Sequence, residues 1–275
     1  MLRADVTPMH RARRLVRDVG RFVVFKSRLL AAMVRDVRDL RDPQLAPLPP
    51  ARLRQRVGGS TDVQTFLIVG RNVARDLDDL LGTLGRGVYS FENVLDFGCG
   101  PARVLRFLRD APATCRLHGT DIDPESIAWC EKNLPEVRWS LNGHHPPTHF
   151  PDAAFDLIYS ISVFTHLDEQ LQLAWLQELR RIARPGAILI VSVHGERLAR
   201  ASIPRQAEEE IHAAGVLFVE GATGMLKPDG LPDFYQNSFH TRDYILREWS
   251  KYFDVLEYRE RAINNHQDAV LLRRR

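Results

Sequence analysis

The chain has 275 residues, of which 44% are hydrophobic and 27% are charged. This length and balance are sufficient for a hydrophobic core and exclude a chain that is disordered throughout. The net charge of +3 is unevenly distributed: residues 1–56 carry 14 Lys or Arg and 5 Asp (14 − 5 = +9), whereas residues 57–275 carry 24 basic and 30 acidic side chains (24 − 30 = −6). The acidic balance of the larger part argues against a nucleic acid substrate.

The three cysteines, in a chain of this length and at this spacing, indicate neither a disulfide framework nor a zinc site. We therefore expect a reducing, cytoplasmic compartment. The sequence contains no run of about 18 apolar residues, so no membrane-spanning helix is predicted. The first residues also lack the apolar core of a secretory signal. Peripheral contact with the inner face of the membrane is an additional expectation, because a basic N-terminal segment suits an anionic surface.

Residues 8–41 show the periodicity of a helix, with apolar residues at steps of three, four or seven. These are Leu15, Val19, Phe22, Leu29, Met33, Val37 and Leu40. Arginines occupy much of the remaining surface, so the helix is basic and amphipathic. Such a helix packs on its own domain, pairs with a second subunit in a homodimer, or lies on an anionic membrane surface. Residues 43–50 contain four prolines and predict a linker, so residues 1–56 form an N-terminal segment and residues 57–275 the main domain.

The main domain alternates strands and helices after a first helix at residues 61–81. Predicted strands cover residues 93–97, 116–120, 137–140, 155–160 and 187–193, and predicted helices cover residues 102–109, 124–133 and 168–183. A last helix at 241–252 precedes strands at 255–258 and 269–272. This alternation predicts an α/β fold with a doubly wound, mostly parallel sheet and helices on both faces. Residues 194–240 form an insert after the fifth strand.

The segment most informative about function begins at Val94 and reads VLDFGCGPAR. An apolar strand ends near Asp96 and is followed by Gly98 and Gly100, whose lack of a side chain lets the backbone turn tightly and approach a ligand closely. The Asp96 carboxylate would repel a pyrophosphate and suits a ligand with positive charge. Arg103 stands where the NAD-binding fingerprint has its third glycine, which also argues against NAD.

A second acidic residue, Asp121, lies at the end of the second strand. In nucleoside-binding doubly wound sheets, the ribose hydroxyls are bound at this position. A carboxylate can accept both hydroxyls, in charge-assisted bonds of about 1.5–3 kcal/mol each. We expect Ile122 to pack on the base, and Asp123, followed by proline, to cap the next helix.

Four segments in order resemble class I S-adenosylmethionine-dependent methyltransferases of the small-molecule or glycan type. They read LDFGCG from residue 95, GTDID from residue 119, FDLIYS with VFTHL from residues 155 and 163, and LRRIARPG from residue 179. The resemblance implies a Rossmann-like seven-stranded sheet that includes the last two strands, and S-adenosyl-L-methionine as cofactor. It implies cofactor contacts from Asp96, Gly98, Cys99, Gly100, Asp121, Ile122, Asn142 and Ser160.

The expected reaction is transfer of a methyl group, by in-line displacement, to oxygen or nitrogen of a small molecule or glycan. A hydroxyl acceptor needs a general base with a pKa near neutrality, for which histidine is suited. His166 and His240 are the predicted catalytic residues, and His194 is a further candidate. The insert is predicted to be a substrate lid that presents Phe234, Tyr235, Asn237 and Phe239 to the acceptor.

Two alternatives belong to other functional classes. One is a regulator that binds the cofactor without transferring the methyl group, and the other is a membrane-surface scaffold in which the N-terminal helix is the main functional element. No metal is predicted, because His144, His145 and His149 lie in a proline-rich loop without a matching acid or thiol. Residues 49–54 could cover the cofactor.

Overall fold

Helices and strands alternate through most of the molecule. The structure is a computed structural model that describes residues 8–39, 47–220 and 232–275. In these ranges the α-helices are α1 (Pro8–Asp39), α2 (Ala51–Gly58), α3 (Val63–Gly82), α4 (Pro124–Asn133), α5 (Glu169–Ile182), α6 (Glu196–Ser202), α7 (Arg205–Ala214) and α8 (Arg242–Glu248). The strands are β1 (Asn93–Phe97), β2 (Arg116–Asp121), β3 (Arg138–Leu141), β4 (Phe155–Ser160), β5 (Ala183–Val193), β6 (Val216–Val219), β7 (Asn237–His240), β8 (Asp254–Ile263) and β9 (Gln267–Arg273).

Seven of these strands form one sheet in the order β3-β2-β1-β4-β5-β9-β8. Strand β1 pairs in parallel with β2 and β4, β2 pairs in parallel with β3, and β4 with β5. Strand β9 runs antiparallel to both β5 and β8. The predicted Rossmann-like, mostly parallel seven-stranded sheet is therefore confirmed. Strands β6 and β7 form a separate antiparallel pair within the insert.

Both faces of the sheet are buried, which explains the continuous apolar sequence of its central strands. All five residues of β1 are buried. Val94 packs in a core with Leu77 of α3, whereas Leu95 packs in a second core with Leu179 of α5. Because successive strand residues point to opposite faces, these two cores lie on opposite sides of the sheet.

The prediction of a helix over residues 102–109 is wrong. Ala102 has a φ of 58°, in the left-handed region, which a right-handed helix does not contain. The chain after it forms turns and a single 3₁₀ turn at Leu105–Phe107. The last helix, predicted over residues 241–252, is shorter in the structure. Helix α8 ends at Glu248, and a 3₁₀ turn follows at Trp249–Lys251.

The predicted N-terminal helix is present as α1, and its expected last residues, 40 and 41, lie outside the described ranges. Residues 221–231 of the predicted lid also lie outside them. Helix α1 packs on α2 through a buried ion pair, in which Arg54 Nη2 donates to Asp36 Oδ1 at 2.7 Å. Within the described residues, no helix combines the length and the apolar character needed to cross a membrane.

Candidate functional site

A cavity of about 650 Å³ opens at the carboxyl ends of the central parallel strands. It is bordered by residues 96–100 at the end of β1, residues 121–123 at the end of β2 and residues 161–163 after β4. The chain passes from β1 outward to β2 and β3, and then returns to β4 on the other side of β1. Ligands of doubly wound sheets bind at this reversal of strand order.

The glycine loop, residues 98–100, forms one wall of the cavity. Gly98 has a φ of 83° and Gly100 a φ of 50°, and both values favour glycine. A Cβ atom at Gly98 would overlap Val163, and one at Gly100 would overlap Val57. The backbone amide of Gly98 donates to Thr120 O at 2.8 Å, which fixes the turn against β2. Both positions therefore require glycine, because Val163 and Val57 occupy the space that a side chain would need.

Asp121 is held at this wall by two backbone amides. Its Oδ2 accepts from Gly100 N at 2.7 Å, and its Oδ1 accepts from Asp123 N at 2.8 Å. Each carboxylate oxygen can accept two hydrogen bonds, so the carboxylate keeps acceptor capacity toward a ligand. Burial raises the pKa of Asp121 to about 6. This geometry suits a pair of vicinal hydroxyls.

Asp96 lies deeper, at the floor of the cavity, and is only 3% exposed. Burial and, to a lesser extent, the charge of Asp121 raise the pKa of Asp96 to about 8. Its carboxyl is therefore largely protonated at neutral pH in the absence of a ligand. A bound cation would favour the ionised form, so the site is electrostatically matched to positive charge.

The other predicted cofactor residues divide into two groups. Ile122, Asn142 and Cys99 line the cavity, and Asn142 is fixed by a hydrogen bond from Thr120 Oγ1 to its Oδ1 at 3.0 Å. Ser160 is fully buried and does not line the cavity. At Ser160 β4 still pairs with β5, and the three residues after it, 161–163, line the cavity instead.

Helix α2 and its C-terminal glycines cover the opposite side of the cavity. Gln55 and the next four residues line it, whereas the predicted cover, residues 49–54, does not. Arg56 forms ion pairs with Asp123 at 2.7 Å and Glu125 at 2.6 Å, which join α2 to the start of α4. Asp123 also caps α4 by accepting from Glu125 N, as predicted.

His166 lies on the side of the cavity away from Asp121. Its Nδ1 is 2.5 Å from Gln236 O, and because a carbonyl oxygen only accepts, Nδ1 carries the proton. Nε2 is therefore the acceptor nitrogen in the tautomer that this contact selects. The ring stacks on Tyr235 with centroids 4.3 Å apart, and the Tyr235 hydroxyl donates to Ser162 O at 2.7 Å.

Three predicted acceptor residues of the insert border the same region, namely Phe234, Tyr235 and Asn237. Phe239 does not, because it is buried in a separate cluster with Leu198 of α6 and Ile211 of α7. The prediction that Phe239 faces the acceptor is therefore wrong.

The structure also contradicts the prediction of His240 as a catalytic base. The residue is fully buried and does not line the cavity. Its Nε2 lies 2.8 Å from Gln172 Oε1, and burial lowers the pKa of His240 to about 3. His194 likewise does not line the cavity, and burial lowers its pKa to about 4. Of these three candidate bases, His166 is the one with access to the ligand space.

Three residues that were not predicted from the sequence also line the cavity, namely Arg103, His266 and Gln267. The position of Arg103 could have indicated its role, because a residue three positions after Gly100 lies near the ligand. The side chain is desolvated, which lowers its pKa, while the nearby Asp96 opposes this effect. His266 and Gln267 lie where β8 turns into β9, and only the antiparallel pairing of these strands brings them to the site.

The site fits S-adenosyl-L-methionine by the chemistry of its side chains. The glycine loop makes a tight turn at the wall of the cavity, Asp121 offers acceptors for a ribose, and Asp96 is matched to a cation. Ile122 and Asn142 adjoin Asp121, where a base attached to the ribose would lie. No side chain of the cavity contradicts this assignment in the part of the chain that the structure describes.

Comparison with known proteins supports the same assignment. Residues 95–191 match the family described as "Methyltransferase domain". Trans-aconitate 2-methyltransferase of Azoarcus sp. (strain BH72) is 31% identical over 100 residues, which are 36% of this chain and 38% of that protein. The chain thus matches less than half the length of this curated relative.

Two solved structures share the fold at low sequence identity. The protein PH0226 of Pyrococcus horikoshii OT3 has a TM-score of 0.54 and 16% identity, covering 74% of this chain and 91% of its own. The 1,6-didemethyltoxoflavin-N1-methyltransferase of Burkholderia thailandensis, solved with S-adenosylhomocysteine, has a TM-score of 0.52 and 17% identity, covering 83% and 92%. Residues 95–191 therefore match a methyltransferase domain, and the sheet that contains them has the fold of the 1,6-didemethyltoxoflavin-N1-methyltransferase.

Proposed function

We propose that the protein transfers a methyl group from S-adenosylmethionine to oxygen or nitrogen of a small-molecule or glycan acceptor. The observation that supports this proposal is a single cavity lined by Asp121 at the end of β2, by the glycine loop after β1 and by His166 in the segment after β4, with β1 between β2 and β4. One side of the cavity is thereby suited to the donor, and the other offers a base and aromatic side chains to an acceptor.

When bound, the cofactor supplies an electrophilic methyl group on a positively charged sulfur. Asp121 would hold the ribose, Ile122 and Asn142 would border the base, and Asp96 would balance positive charge. Helix α2 would exclude water from this half of the cavity, because its ion pairs to the start of α4 keep it closed over the loop. Holding donor and acceptor in line supplies up to about 7–11 kcal/mol of the acceleration.

The acceptor half has its own set of groups. His166 Nε2 would take the proton from a hydroxyl, or from a neutral N–H group, as the oxygen or nitrogen of the acceptor becomes methylated. Phe234 and Tyr235 would pack on the apolar part of the acceptor, and Asn237 would offer hydrogen bonds. Arg103 is a cation available to a carboxylate of either ligand. The curated relative is named for trans-aconitate, which is consistent with a small acceptor.

The test is a two-stage measurement on the purified chain. Thermal-shift titration with S-adenosylmethionine and S-adenosylhomocysteine should raise the unfolding temperature in a concentration-dependent manner. Mass spectrometry of an acceptor panel should then find a product heavier by one methylene. A folded chain that responds to neither ligand would contradict the proposal. A chain that binds both ligands and methylates no acceptor would instead support the alternative of a silent regulator.

We expect the affinity for S-adenosylmethionine to rise several-fold between pH 6 and pH 8. The pKa of Asp96 is about 8 without ligand, and a bound cation favours its carboxylate and lowers that pKa. Binding therefore releases a proton, and a reaction that releases a proton becomes more favourable as the pH rises. Asp121, with a pKa of about 6, adds to the effect near pH 6.

Calorimetry in two buffers with different ionisation enthalpies measures the released proton directly. The Asp96→Asn variant is the control, because it cannot ionise and should show a flatter pH dependence. Equal proton release by the wild type and this variant would remove Asp96 as the source.

The N-terminal helix leads to two further predictions, a peripheral membrane contact and a homodimer. Both concern α1, which does not line the cavity among the described residues. They are independent of the methyl-transfer proposal and stay predictions.

A further inference from the structure

Helix α1 exposes an apolar stripe, formed by Val16, Val19, Val23, Leu30 and Val34. These residues follow one another at intervals of three, four or seven and therefore lie on one face of the helix. Their exposed fractions range from 43% to 73%. Single exposed apolar residues are common, but five of them on one face of a helix indicate an interaction surface.

The opposite face of α1 is attached to the rest of the molecule. Ala32 and Asp36 are buried, and Phe25 and Leu29, which precede them on the same face, are half-buried. Asp36 accepts from Arg54 Nη2 at 2.7 Å and from the backbone amide of residue 51 at 2.5 Å. A rotation that buried the apolar stripe would break this buried ion pair, so the stripe is held facing outward.

The charge of α1 indicates which partner the stripe meets. The helix contains nine Lys or Arg against three Asp, and Lys26, Arg28 and Arg35 are exposed. A helix that combines an apolar stripe with many basic residues is typical of helices that lie in the surface of anionic membranes. Lys26 lies within the stripe. If two copies paired along the stripe, the Lys26 side chains and the basic residues near them would approach those of the other copy, and the like charges would repel.

We propose that the apolar stripe of α1 docks the protein on an anionic lipid surface. The stripe enters the boundary between headgroups and acyl chains, and the exposed Lys26, which lies along it, contacts the headgroups. The buried ion pair between Asp36 and Arg54 fixes the rest of the molecule on the side of α1 that faces away from the lipid. This docking does not depend on the methyl-transfer reaction.

The test is co-sedimentation of the whole chain with vesicles of phosphatidylcholine, with and without phosphatidylglycerol. Binding should be stronger to the anionic vesicles and should weaken as salt screens the headgroup charge. Leu30→Asp and Val23→Asp should each lower the affinity for anionic vesicles at least about fivefold, because they place a charge in the stripe that enters the lipid. Both residues are exposed in the structure, so neither change should affect folding.

Ile68→Asp is the matched control, because Ile68 is 52% exposed on α3, outside the stripe. It should bind vesicles like the wild type, and all variants should keep the wild-type thermal shift with S-adenosylhomocysteine. Equal binding to neutral and anionic vesicles, or unchanged binding of Leu30→Asp, would overturn the proposal. So would sedimentation equilibrium that finds a lipid-free dimer which Leu30→Asp converts to a monomer, since the stripe would then be a subunit interface.

Discussion

Replacing Asp121 by alanine should weaken the binding of S-adenosylhomocysteine at least tenfold. The carboxylate is held by the amides of Gly100 and Asp123 at the border of the cavity. Loss of two charge-assisted bonds to a ribose, each worth about 1.5–3 kcal/mol, would allow a loss of about a hundredfold or more. The Gly100 amide also loses its acceptor, so the glycine loop would be less well ordered.

Isothermal titration calorimetry measures this loss, and the unfolding temperature without ligand shows whether the variant is folded. Asp62→Ala is a matched control: Asp62 also accepts from a backbone amide, that of Thr65 at 2.7 Å, and it caps α3 outside the cavity. It should lose about 1 kcal/mol of stability and no affinity. Unchanged affinity in Asp121→Ala would remove the residue from the ligand site.

The half of the cavity that suits the methyl donor could be predicted, because the residues that indicate it are close together in the sequence. A strand that ends at an acid, followed by Gly98 and Gly100, indicates the loop without knowledge of distant contacts. Asp121 follows from the position at which the next parallel strand ends, and the helix cap at Asp123 from the proline after it. Ser160 is the exception, since the residue at which β4 leaves the sheet depends on its pairing with β5.

The acceptor half depends on contacts between distant parts of the chain. His240 and Phe239 are in the same insert as Tyr235, but β7 turns them toward Gln172 and the cluster that includes Leu198. Nothing in the local sequence distinguishes them from residues that face the ligand. The backbone of residue 102 is a similar case, since a helical composition does not reveal its left-handed conformation.

Replacing His166 by alanine should lower kcat about a hundredfold or more and change the affinity for S-adenosylhomocysteine less than about twofold. Removal of a general base costs roughly 10²–10⁴ in rate. The ring lies away from Asp121, and Gln236 O fixes the proton on Nδ1, so that Nε2 is the atom able to accept a proton. The measurement uses the acceptor found by product mass and compares kcat with the calorimetric affinity.

His240→Asn is the informative comparison, because both histidines are predicted catalytic residues, with His166 favoured by its position after the fourth strand. His240 is enclosed, and its low pKa of about 3 keeps it neutral; its variant should lose stability through the hydrogen bond to Gln172 and keep kcat within about threefold. If His240→Asn lost turnover while His166→Ala kept it, the assignment of the base would be reversed. A loss of turnover in both variants, with unfolding temperatures unchanged, would contradict the assignment of His166 as the base that acts without His240.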